Sequence, residues 1–88
     1  MSIRMDPTTR KAVIINAALK VARLKGIASL NYQSVAAHCE VATSAMTVRR
    51  YTGRIRDLQR EVVRAARLSR EAGNAEIVKR GKELGLDS

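Results

Sequence analysis

The chain has 88 residues, room for one compact domain with a modest core. Hydrophobic residues make up 45% of it, which excludes disorder throughout, and the aromatic residues are Tyr32 and Tyr51, with no Phe or Trp. Seventeen Lys and Arg against eight Asp and Glu leave a net charge of +9, which asks for a polyanionic partner because cations that neutralise phosphates release counterions.

A core built from Ala, Val, Ile and Leu suits closely packed helices better than a small β-sandwich. Pro7 and five glycines are few interruptions for 88 residues. No apolar run approaches the roughly 18 residues of a spanning helix, and no signal peptide is expected before the domain, so no membrane role is read. The single Cys39 rules out an internal disulfide and fits a reducing cytoplasm.

Residues 1–6 form a leader carrying Arg4, read as disordered, with a reach into a minor groove as the alternative. Asp6 and Pro7 open the first helix as N-cap and first helical residue. Its apolar stripe is Ile14, Ala18, Val21 and Ala22, flanked by Ile15, Leu19 and Leu24, and Gly26 supplies the stop. Asn31 caps a short second helix over Tyr32 to Cys39, with Val35, Ala36 and Cys39 inward and Leu30 stapled to Val35. Thr43 or Ser44 caps a third helix through Tyr51, with Val48 inward, Arg49 and Arg50 exposed, and Thr52-Gly53 at its end.

A fourth helix runs from Ile55 to Ala72. Ile55, Leu58, Val62, Ala65 and Ala66 form one face, with Arg56, Arg60, Arg64 and Arg67 largely on the other. Gly73-Asn74 reads as a stop and a new cap before a last helix, Ala75 to Leu84, which Gly85 ends. The chain therefore divides into a leader over 1–6, a helical unit over 7–72, and a C-terminal helix over 73–88 that either packs on its own chain or pairs two copies.

Two short helices joined by a turn, after a longer one, make a helix-turn-helix. At this point the pattern resembles the N-terminal DNA-binding domain of the TetR family of repressors. Arg10, Ile14-Ile15, Ala17-Ala18, Val21-Ala22 and Gly26 follow that family's opening, and Asn31 through Val35-Ala36 its second helix. The stretch Ser44 to Gly53 is similar to the family's recognition helix, and Asp57-Leu58 to its acidic-Leu pair. The resemblance covers Arg10 to Val63. Departures are a longer turn after Val41, Glu40 where the family has Gly, and Arg49 and Thr52 in place of two aromatics. The family's ligand-binding and dimerisation domain has no counterpart in these residues, so inducer binding is not carried over. The expectation is an all-α bundle of four to five helices containing a helix-turn-helix.

The resemblance implies a recognition helix over residues 44–51 lying in the major groove of double-stranded DNA. Thr43, Ser44 and Thr47 would reach bases or phosphates through their hydroxyls. Arg50 would meet guanine or phosphate, and Arg49 the backbone. Tyr32 and Gln33, at the start of the second helix, are placed for phosphates, and Arg54 and Arg56 for the same strand. A single small module binds weakly, so a homodimer is expected. Its surface would be Val63, Leu68, Ile77, Val78, Leu84 and Leu86, more apolar residues than such short helices need for their own core. Arg60, Arg64, Arg67 and Arg70 fit either a solvated face or phosphate contacts.

No cofactor or metal is expected, since His38 and Cys39 have no further partners for a metal site. No nucleophile–base pair, carboxylate cluster or Gly-rich phosphate loop suggests an enzyme. The leading function is a small transcription regulator associated with the nucleoid. Two alternatives stay open: the DNA-recognition subunit of a packaging or recombination complex, with a protein partner on the C-terminal helices, and an RNA-binding helical protein. The scarcity of stacking aromatics argues against the last.

Overall fold

A computed structural model of the chain describes residues 6–69, 71 and 73–86, and the described residues are helical with no strand. The leader over 1–5 and Arg70 lie outside them. Five helices follow in order: α1 Pro7–Lys25, α2 Tyr32–His38, α3 Ala45–Thr52, α4 Ile55–Leu68 and α5 Asn74–Glu83, with a 3-10 turn at Ile27–Ser29.

α1 starts where the Asp6 carboxylate accepts the Thr9 N–H at 2.7 Å, with Pro7 just inside the helix. Hydrogen bonding by Thr9 holds the Asp6 carboxyl below its ordinary value of 3.8. Its buried face comprises Ile14, Ala17, Ala18, Leu19, Val21 and Ala22, the 3.6-residue spacing of one side of a helix. Leu24, expected to flank that face, is exposed. Gly26 ends the helix at φ +92, a backbone conformation open to Gly at little cost.

Asn31 caps α2 by accepting the Ser34 N–H at 2.8 Å, and Leu30 and Val35 are both buried, as a hydrophobic staple requires. α2 stops at His38, one residue before the expected end, because Cys39 turns extended while its N–H still reaches the Ala36 carbonyl. The link to α3 needs no left-handed residue. Among the described residues only glycines have positive φ, so Glu40 sits without that strain. Ser44, not Thr43, is the cap of α3: its oxygen accepts the Thr47 N–H at 3.1 Å, while the Thr43 hydroxyl donates to the Val41 carbonyl. Thr52 is buried, and its hydroxyl donates to the Val48 carbonyl at 2.7 Å, which satisfies it inside the core.

α4 ends at Leu68, short of the expected Ala72. Ser69 is extended, and its carbonyl accepts from the Asn74 side chain at 2.9 Å. Asn74 is not the cap of α5 but part of its first turn, with left-handed Gly73 before it. Its buried side chain also accepts from Arg23 Nε at 2.9 Å, so one amide ties the start of α5 to both α1 and the end of α4. A buried amide paired on both ends avoids the cost of an unmade hydrogen bond.

Core residues come from every helix: Ile14, Val21 and Ile27 from the first stretch, Val35 and Val48 from α2 and α3, Leu58, Val62 and Val63 from α4, and Ile77 with Leu86 from the C-terminal stretch. α1 packs on α2 and α4, α2 on α3, and α5 on α4. Residues 73–86 therefore share the core of the preceding helices and are no separate unit. Val63, Ile77 and Leu86, expected on a dimer surface, are at most 3% exposed. They are used inside one chain because α5 folds back onto α4. Close approach makes this fit possible: Gly81 faces Val63 with no side chain between.

Candidate nucleic-acid interface

α3 presents two faces. Val48 and Thr52, four residues apart, point inward, and Ala45 and Tyr51 are half-buried beside them. Met46, Arg49, Arg50 and Gly53 are exposed, and their i, i+3, i+4, i+7 spacing places them in one outward stripe. Arg49 and Arg50 make no side-chain hydrogen bond or ion pair among the described residues. At the N-terminal end of the stripe the Ser44 and Thr47 hydroxyls lie 2.9 Å apart, so they partly satisfy each other.

The other residues expected here divide. Gln33 is exposed at the start of α2. Tyr32 next to it is half-buried, and its hydroxyl donates to the Gly53 carbonyl at 2.6 Å, which pins the start of α2 to the end of α3. Its expected phosphate contact is displaced by this clamp, since the proton is already given to a carbonyl. Arg54 is exposed, and its backbone N–H donates to the Asp57 carboxylate at 3.2 Å. Arg56 is turned elsewhere: one guanidinium nitrogen donates to the Leu84 and Gly85 carbonyls at 3.3 and 3.2 Å. A cation at a helix C-terminus meets the negative end of the helix dipole, so Arg56 secures α5 and does not extend the α3 surface.

Comparison with family models, curated proteins and solved structures returned no match.

Charge is distributed unevenly around this surface. Residues 44–60 contain five Arg and one Asp, a net +4 out of the chain's +9. Three acids elsewhere pair with cations of α1: Glu61 with Lys11 at 2.8 Å, Glu40 with Lys20 at 3.5 Å, and Glu71 with Arg23 at 3.1 Å. Exposed pairs of this kind contribute little stability, but each removes an acid that could have neutralised an arginine of α3 or α4. The exposed side of α4 carries Arg60 and Arg64 without an acidic partner among the described residues. Arg10 donates from its guanidinium to the Ala42 carbonyl at 3.4 Å and holds the link between α2 and α3.

Of the residues expected at a dimer surface, Leu68 is 82% exposed, and Val78 and Leu84 are half-buried against the core. Among the described residues no three His, Cys, Asp or Glu side chains come together, and His38 Nδ1 lies 2.9 Å from the Ser34 carbonyl. No described helix is long and apolar enough to cross a membrane. Two connections escaped sequence reasoning: Tyr32 to Gly53 and Arg56 to the end of α5 join residues 21 and up to 29 apart, and no local pattern marks such pairs. Of the outward stripe, Arg49 and Arg50 were expected from the sequence and Met46 was not, although its spacing of three and four residues from them is the signal that could have found it.

Proposed function

We propose that this chain is a sequence-specific binder of double-stranded DNA and works as a small dimeric transcription regulator, with α2 and α3 as a TetR-like helix-turn-helix. The observation that carries the reading is the outward stripe of α3, where Arg49 and Arg50 stand exposed without a partner among the described residues, in a stretch over 44–60 of net charge +4. A recognition helix lies in the major groove with its N-terminal end nearest the base edges, and long side chains of its later turn lean back towards that end. Arg50 offers a guanidinium fork for guanine O6 and N7, worth roughly 1–3 kcal/mol of discrimination. Arg49 and Arg54 neutralise phosphates on either side of it, and Gln33 adds an amide at the start of α2. Ser44 and Thr47 exchange their mutual hydrogen bond for bases or phosphates.

Two copies on a palindrome add the contacts that one small module lacks. Leu68, exposed at the end of α4, and half-buried Val78 supply the apolar side chains for that pairing. The test is selection of bound duplexes from a random pool at about 150 mM salt, where non-specific binding has faded. The expected outcome is an enriched palindrome that disappears when Arg49 and Arg50 are both changed to Ala. Equal binding by the wild type and the double variant, with no enriched motif, would overturn the reading. An enriched single half-site would remove the dimer alone.

A further inference from the structure

The base-reading end of α3 has an unusual chemistry. Between Ser44 and Thr47 the long exposed side chain is apolar: Met46 is 74% exposed, in the first turn of the helix and one turn before Arg49 and Arg50. Ala45 is short and half-buried, and the Ser44 and Thr47 hydroxyls engage each other at 2.9 Å. A lone exposed apolar side chain needs no explanation. This one stands in line with two unpaired arginines on a surface of net positive charge.

A thioether has no donor and is a weak acceptor, so it cannot read the hydrogen-bonding pattern of a base edge. The apolar feature that a base pair displays in the major groove is the C5 methyl of thymine. Met reaches far, has three rotatable bonds and adapts to an irregular apolar surface. Bound there, the side chain loses most of its exposure to water, and the flanking arginines keep their phosphate or guanine contacts.

We propose that Met46 is a specificity-determining residue that packs on the C5 methyl of one thymine in each half-site, a reading that rests on the duplex-DNA function proposed above. The experiment begins with the duplex selected by the wild-type chain. Each thymine is replaced singly by deoxyuridine, which keeps every hydrogen-bonding atom and lacks the methyl. Binding is then measured for the wild type, Met46→Leu and Met46→Ala.

At one thymine per half-site the wild type loses about fourfold in affinity, the scale of one buried methyl group. Met46→Leu shows a comparable loss at the same position, and Met46→Ala binds the thymine and deoxyuridine duplexes equally. Because Met46 is exposed, Met46→Ala keeps the thermal midpoint of the wild type, which separates recognition from folding. The proposal is overturned when no deoxyuridine weakens the wild type, or when the same position weakens the wild type and Met46→Ala alike. Failure of the wild type to select any duplex would instead fell the DNA-binding reading, and this one with it.

Discussion

Gly81 sits in the interior of α5, and a β-carbon there would lie 2.6 Å from Val63 Cγ2 and 3.1 Å from Cγ1. Ala ordinarily outranks Gly in a helix by up to about 1 kcal/mol. Here the added methyl meets a buried, β-branched side chain that has little rotameric freedom to move aside. Overpacking wins over propensity, and Gly81→Ala is expected to destabilise the chain by about 1–3 kcal/mol, read as a lower denaturant midpoint. An unchanged or raised midpoint would mean that α4 and α5 part without penalty. The same scale explains three displaced expectations. Asn74 is a buried link rather than a cap, Arg56 holds the end of α5, and Tyr32 clamps α3, each through a partner distant in sequence.

At the scale of elements, the caps are local devices and behave as such. Asp6, Asn31 and Ser44 each accept a backbone N–H three residues on, which satisfies one of the free donors at a helix start. Asp6 has a consequence in acid. The folded helix favours its anion and lowers its pKa below 3.8, so its contribution to α1 is present above that value. It is lost as pH falls through the lower, folded value. An NMR acid titration should therefore show the Thr9 amide shifting with a midpoint below 3.8, and Asp6→Asn should abolish that transition. A midpoint at or above 3.8 would contradict the cap. The end of α4 obeys different physics. No Pro or Gly stops it near Leu68, so its periodicity runs on to Ala72 in sequence. The extended Ser69 and its bond to Asn74 end it, because the turn places Ile77 on the core.

Across the whole molecule, three cations of α1 have acidic partners, while residues 44–60 keep a net +4. Duplex binding through that surface should weaken with salt, since each neutralised phosphate contributes a slope of about −0.9 in log K against log salt. Arg54→Ala is expected to flatten the slope by about that amount. Arg64→Ala, about 15 Å farther along the helix axis, should leave it unchanged. Equal effects of both changes in a filter-binding or anisotropy titration would indicate a diffuse electrostatic attraction instead of an α3-centred surface.

Helix existence, the starts of α1, α2 and α4 and the inward stripe of α1 were determined by the sequence alone, because they rest on contacts within one turn: a cap three residues from its donor, apolar residues every three or four positions, a Gly where φ turns positive. The outward placing of Arg49 and Arg50 on α3 was legible for the same reason. Tertiary structure decided which apolar residues of the C-terminal stretch remain outside. Val63, Ile77 and Leu86 carry the same hydrophobicity as Leu68 and were read together with it as a surface. Their burial depends on α5 docking against α4 at Gly81, held by Asn74 and Arg56. Those contacts span the chain, and local periodicity carries no information about which of two apolar residues will meet a partner so far away.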